Sequence, residues 1–368
     1  MRYLPLSAVF ALAAASPALA QKFDKIHLKG GSAPLEGEIV DMNFKEVKYI
    51  SKDSGIETSQ ASKDVREIEF DSDNKGFDYS DAEGRFKNNE FAEARDKFKK
   101  ALLDPRASKP VKTQAARYMI VQCSYELGDW EGALRDAKQF VTEMSDSFYA
   151  KDVFFIWYQA ARAKGATAEA DAAIKEMERA AAKADEWKKS VELLRADLAE
   201  ANKDYKGART TYDRYVSDRD PQVQLDARLG VLRCMASLQD WGSLAGRADQ
   251  YINEWKNKPN PPAKLMLGAY LGKGKALLFG EKKNKEALLE LLRCAWDIAP
   301  RIGEQSREHA ESLAHAAMAS ARFAAEQKEK EKKDQFRDRA HQLKGELNRR
   351  YGNGWDAMID KEIGAIPK

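Results

Sequence analysis

Residues able to do chemistry are sparse in this chain of 368 residues, which holds four histidines, His27, His309, His315 and His341, and three cysteines, Cys123, Cys234 and Cys294. A zinc site carried on one helix needs ligands that share a face. His309 and His315 stand six residues apart, about 600 degrees of helical rotation, and so point in different directions. No H-E-x-x-H, G-x-S-x-G or C-x-x-C sequence occurs, which removes the common zinc-protease, serine-hydrolase and dithiol arrangements. The stretch GKGKALLFG from Gly272 lacks the order of a phosphate-binding loop, and Gly268 and Gly272 read as places where helices pack closely. In DSDNKGFDYSDAE, residues Asp71, Asp73 and Gly76 match calcium-loop positions. Lys75 and Ala82, however, stand where oxygen ligands belong, so this stretch reads as a polar linker before a helix. No catalytic residue, metal or cofactor is expected, and the chain reads as non-enzymatic.

Function must then be carried by surfaces, and the surfaces depend on compartment and fold. The first twenty residues, MRYLPLSAVFALAAASPALA, combine Arg2, an apolar run from Leu4 to Ala15 and a small-x-small end at Ala18-Leu19-Ala20. That order is expected of a cleaved secretory signal peptide over residues 1–20 and of a periplasmic location, with the extracellular space as the alternative. No later run is apolar enough to predict a membrane span. The 62 basic and 59 acidic residues nearly cancel, so no field of one sign recommends nucleic acid or an anionic membrane as partner. Three cysteines are too few for a disulfide framework and sit in apolar stretches, where they are expected as buried thiols.

Two periodicities divide the chain. From Phe23 to Phe70 apolar residues alternate through Ile26 and Leu28, Ile39, Val47 and Tyr49, Ile56, then Val65, Ile68 and Phe70, with Gly-, Asn-, Asp- and Ser-rich turns between. About five short strands are expected, enclosing a small all-β barrel over residues 21–70. The pattern KIHLKGG, LEGEIVDM, EVKYIS, GIETSQ, DVREIEF resembles small SH3-like or Sm-like barrels. Residues 22–70 hold eight Lys/Arg and ten Asp/Glu, a balance that disfavours nucleic acid. After a linker at 71–78 the period becomes helical.

A single phrase recurs along the helical region. Phe91, Trp130, Tyr205 and Trp241 are each followed at three, seven and ten residues by small or apolar side chains: Ala94, Phe98 and Ala101; Ala133, Ala137 and Phe140; Ala208, Tyr212 and Tyr215; Leu244, Ala248 and Tyr251. Weaker copies start at Thr167 (Ala170, Ile174, Met177) and Asn284 (Ala287, Leu291, Cys294), giving spacings of 39, 37, 38, 36 and 43 residues. Offsets of three, seven and ten share one helical face, so these residues are expected to pack, with the four aromatic anchors in the core.

The recurrence, clearest in NEFAEARDKFKKALLDP and YELGDWEGALRDAKQF, resembles the tetratricopeptide repeat (TPR) family. The period exceeds the family's usual ~34 residues, and a repeat-closing proline is clear only at Pro105, Pro221 and Pro300. The resemblance implies a mainly α protein with a right-handed solenoid of helical hairpins over 79–300, while mixed charges around an apolar side at Phe336, Ala340, Leu343, Leu347 and Tyr351 predict capping helices over 301–351, followed by a tail at 352–368. It also implies that a stripe twelve, eight and five residues before each anchor lines a concave groove. That stripe comprises Tyr79, Glu83 and Phe86; Tyr118, Gln122 and Tyr125; Phe155, Gln159 and Arg162; Leu193, Asp197 and Glu200; Leu229, Arg233 and Ala236. The mixture of aromatic, amide and charged groups suits a peptide. The expected function is an exported scaffold that binds a peptide or another envelope or secreted protein. A self-assembling structural protein and an accessory subunit that recruits substrate to an enzyme are the alternatives.

Overall fold

The structure is a computed structural model and describes residues 23–71, 76–104, 109–182, 184–302 and 307–367. The expected signal peptide, Pro105 and the Asp73 and Lys75 positions of the polar linker lie outside the described residues. The chain forms two compact units, divided between Trp187 and Lys188.

In the first unit, five strands, β1 (Asp24–Leu28), β2 (Leu35–Met42), β3 (Glu46–Ser51), β4 (Glu57–Ala61) and β5 (Val65–Glu69), make an antiparallel sheet in the order β4-β3-β2-β1-β5. Alternation places Ile26, Ile39, Val47 and Tyr49 on its buried side. The expected closed barrel is corrected to an open sheet, since no ladder joins β4 to β5 among the described residues. The apolar face is covered instead by the helices α1 (Phe77–Lys87), α2 (Phe91–Ala101) and α3 (Pro110–Glu126), whose Tyr79, Phe98, Val111 and Ala115 share its core. A sheet whose face is buried by helices need not curl onto itself.

Polar contacts fix the sheet to this helical layer. Asp24 is buried and accepts from the Ile39 amide at 3.0 Å and the Asp71 amide at 2.8 Å. The Gln114 side chain of α3 donates to the Met42 carbonyl at 3.0 Å and accepts from the Ser147 hydroxyl at 2.6 Å. The Phe44 amide donates to the Asp146 carbonyl at 3.0 Å. Buried polar groups without such partners would each cost about 1–3 kcal/mol, so the pairings favour one placement of the sheet.

This unit also contains the helices α4 (Trp130–Glu143), α5 (Ala150–Ala163) and α6 (Thr167–Ala181). The second unit contains α7 (Lys188–Ala201), α8 (Tyr205–Asp213), α9 (Pro221–Ser237), α10 (Trp241–Trp255), α11 (Ala263–Lys275), α12 (Asn284–Leu292), α13 (Arg307–Glu326), α14 (Lys330–Tyr351) and α15 (Asp356–Gly364). Helices α11 and α12 each run on into a π-helical turn, at Ala276–Glu281 and Arg293–Ile298.

Every repeat anchor is the first residue of the second helix in a hairpin: α2, α4, α6, α8, α10 and α12 begin at Phe91, Trp130, Thr167, Tyr205, Trp241 and Asn284. The residues three, seven and ten further on are buried in all six hairpins, Tyr215 alone being half-buried. Two positions before each anchor, Asn89, Gly128, Gly165, Lys203, Gln239 and Lys282 all have φ between 57° and 68°. This left-handed residue turns the chain out of one helix and into the next. At the following position Asp129, Asp204 and Asp240 cap their helices, accepting from the amides of Gly132 at 2.9 Å, Gly207 at 3.0 Å and Ser243 at 3.3 Å.

The four anchor aromatics are half-buried, which corrects the expectation that they lie in the core. A side chain on the first turn sits at the end of the hairpin, and Phe91 and Trp130 lie edge-on against Phe86 and Tyr125 at 5.2 and 5.5 Å. At the C-terminus, Ala340, Leu343 and Leu347 of α14 are buried. The expected tail at 352–368 instead contains α15, whose Ile359 is fully buried and whose Glu362 receives two hydrogen bonds from Arg322, at 2.9 and 2.7 Å. Ile359 and Ile366 are buried and Ile363 packs against the same core, so this short segment has an apolar face to bury.

Candidate interaction stripe

The stripe expected from the repeat register lies on α1, α3 and α5 in the first unit and on α7 and α9 in the second. Its first member is corrected: Tyr79 is 2% exposed, with its ring edge-on to Phe98 at 5.3 Å and Phe70 at 6.3 Å. The end of the sheet covers the first turn of α1, so a position that is open in a bare hairpin becomes core here. Phe86 and Tyr125 are half-buried, and both pack on the anchors of their own hairpins.

Glu83, Tyr118, Gln122 and Phe155 are half-buried and Gln159 is exposed. Tyr118 stacks on Tyr149 with 4.5 Å between ring centroids and 8° between planes. Burial, with Asp152 adding to it, raises the Tyr118 hydroxyl above the ordinary phenol range. Tyr149 is raised mainly by burial, and carboxylates including Asp152 and Glu83 add to the shift. The pair therefore stays protonated at neutral pH and offers O–H groups beside acidic neighbours. Arg162 donates to the Tyr158 hydroxyl at 2.8 Å along its own helix. Tyr149 was not legible as a partner of this surface, because its contact with Tyr118 spans 31 residues and an intervening helix, α4.

In the second unit the stripe residues of successive hairpins meet. Arg233 of α9 binds both carboxylate oxygens of Glu200 on α7 at 2.8 Å each, and lies 3.7 Å from Asp197. Burial alone would weaken its charge, and the Glu200 hydrogen bonds reverse that effect, raising its pKa. Leu193 is buried, 8% exposed, so this stripe position also belongs to the core. Glu200, Leu229, Arg233 and Ala236 together line a cavity of about 260 Å³, closed further by Trp241, Leu271, Phe279 and Lys275. Gly268 and Gly272 also line it, and a Cβ at Gly268 would lie 2.6 Å from Leu229 Cδ2. The close packing expected at these two glycines is thus present.

The three cysteines and two of the four histidines hold structural positions. Cys123, Cys234 and Cys294 are buried free thiols, and burial pushes the first two up to about 12. His309 and His315 are buried on α13, where His309 meets the Tyr351 hydroxyl at 2.8 Å and His315 Nδ1 lies 2.7 Å from the Glu311 carbonyl. Among the described residues no cluster of three or more His, Cys, Asp or Glu side chains could hold a metal. No helix among them is long and apolar enough to cross a membrane.

No family model and no curated protein sequence matches the chain. Solved structures do: a tetratricopeptide repeat protein from Parabacteroides merdae is similar with a TM-score of 0.54 at 13% identity, over 78% of this chain and 98% of that one. The C-terminal part of a TPR repeat-containing protein from Cytophaga hutchinsonii aligns at 16% identity over 79% of this chain and 100% of that one, with a TM-score of 0.44. The first likeness and the six-fold recurrence of the anchor geometry agree: the helical region of this chain has a TPR-like fold.

Proposed function

We propose that the protein is an exported, non-enzymatic scaffold that holds a peptide or protein segment of another envelope or secreted protein at the stripe on the first helices of its hairpins. The observation that supports this most is the meeting of variable residues from successive hairpins. Glu200, Leu229, Arg233 and Ala236 occupy stripe positions of the repeat, yet differ in chemistry and line one cavity. Packing accounts for the recurring residues at offsets three, seven and ten, whereas the stripe combines carboxylate, guanidinium and apolar groups at an accessible surface, as recognition of an extended peptide requires. In the first unit the Tyr118–Tyr149 stack, Gln122 and Gln159 supply the corresponding aromatic and amide groups. Export rests on residues 1–20.

Site-specific photocrosslinking tests the stripe. A benzoylphenylalanine placed at Gln159 or Ala236 is expected to trap a partner in cells, and one at Arg135, whose side chain is 67% exposed on the second helix of its hairpin, is not. Equal adducts from all three positions, or adducts from Arg135 alone, would overturn the assignment. Mass spectrometry of the protein recovered from the periplasmic fraction is expected to give Gln21 as its first residue, and an intact Met1 refutes export by cleavage.

A further inference from the structure

The cavity in the second unit has a charge pattern that selects its occupant. Three carboxylates, Glu200, Glu308 and Glu311, and two cations, Arg233 and Lys275, line it, which leaves one negative charge in excess. Both cations are already neutralised. Arg233 is held by both oxygens of Glu200 at 2.8 Å, and Lys275 is ion-paired with Glu311. Glu308, half-buried in the first turn of α13, has no ion-pair partner among the described residues. An anionic ligand would meet no uncommitted cation here and would face the Glu308 charge.

The remaining wall suits an alkyl stem. Leu229, Leu232 and Leu271 form apolar lining, and Trp241 and Phe279 stand 5.5 Å apart with 31° between ring planes. Aromatic faces attract cations and also cover methylene groups. Arg322 lies over Phe279 at 5.4 Å, but its own charge is matched by Glu362. His315 contributes no compensating charge at neutral pH, because burial, and then Lys275, lower its pKa to about 4. A volume of about 260 Å³ lies at the small end of ligand pockets, near the ~300 Å³ lower bound, and so suits one side chain rather than a whole helix.

We propose that this cavity receives a lysine or arginine side chain of the bound segment, with its stem against Trp241, Phe279 and Leu271 and its head at Glu308. The inference rests on the peptide-scaffold reading and adds to it the class of residue recognised. The test is selection of the full-length mature chain against a randomised hexapeptide library with both peptide termini capped. Lys or Arg should be enriched at one position, and replacing that residue by norleucine in the best peptide should weaken binding about tenfold. Glu308→Gln should reproduce the same loss for the basic peptide without affecting the norleucine version, and Glu308→Lys should abolish the preference. Glu308 has no ion-pair partner among the described residues, so these variants break no ion pair, and circular dichroism checks that the loss of its favourable first-turn charge leaves the chain folded. Selection of peptides with no basic residue, or a preference unchanged by Glu308→Gln, overturns the inference while leaving the scaffold reading standing. Failure to select any peptide removes both.

Discussion

The left-handed residue before each anchor gives a prediction whose sign is informative. Gln239 has φ of 58° and is exposed, while its amide donates to the Ala236 carbonyl at 3.1 Å, a bond any residue can make. Holding a non-glycine residue in this region costs about 1–2 kcal/mol. A glycine there escapes that cost but loses about 0.5–1 kcal/mol through the greater freedom of its unfolded chain. Gln239→Gly should therefore stabilise the α9–α10 hairpin by about 0.5–1 kcal/mol, equivalent to a two- to fivefold change in the opening equilibrium. The mirror variant, Gly128→Ala, should destabilise the α3–α4 hairpin by a similar or larger amount. Its cause would be conformational, since the nearest atom to the added Cβ, on Trp130, is 3.7 Å away. Native-state hydrogen exchange, read separately on amides of the two hairpins in the full chain, measures both effects without assuming one cooperative transition. Faster exchange in α9 and α10 of Gln239→Gly would refute the reasoning, because a glycine in an ordinary helical or extended conformation is destabilising.

Other outcomes follow from the buried groups and caps. His315, lowered from 6.5 to about 4, is neutral in the folded state. Its contribution is fully present above pH 6.5 and is lost as pH falls toward 4, about 3 kcal/mol in all, and His315→Gln should flatten that part of a urea-midpoint profile. Burial raises the Cys123 and Cys234 thiols from 9 to about 12, so their stabilising contribution holds below pH 9 and is lost above it. Ellman's reagent at pH 8 should accordingly label none of the three cysteines until the chain unfolds, and rapid labelling of the native protein contradicts the burial. Asp240 both caps α10 and accepts from Arg209 at 3.0 Å, so Asp240→Ala should cost about 1–2 kcal/mol by thermal or urea unfolding, and an unchanged midpoint would show the cap to be idle.

The register of the repeats was legible down to single residues. A period of 36 to 43 residues with offsets of three, seven and ten can be satisfied only by helices that bury one face, and Ala170, Ile174, Ala287 and Leu291 confirm it in copies that lack an anchor aromatic. The left-handed residues were not legible, because Asn, Gly, Lys and Gln share that conformation here and only the turn geometry requires it. Nor was the exposure of the stripe. Tyr79 and Tyr118 occupy the same repeat position, yet one is core and the other half-buried.

What the sequence determined by itself is therefore the local order: strands by alternation, hairpins by period, and the side chains that pack within each hairpin. Tertiary structure alone decided that the sheet stays open against α1–α3, that residues 356–364 dock as a helix, and which stripe residues remain accessible. The reason is physical. Periodicity records which face of an element must be buried, whereas the partner that buries it, and the contacts that cancel Arg233 and Lys275 but not Glu308, are set by residues 33 to 36 positions away or farther.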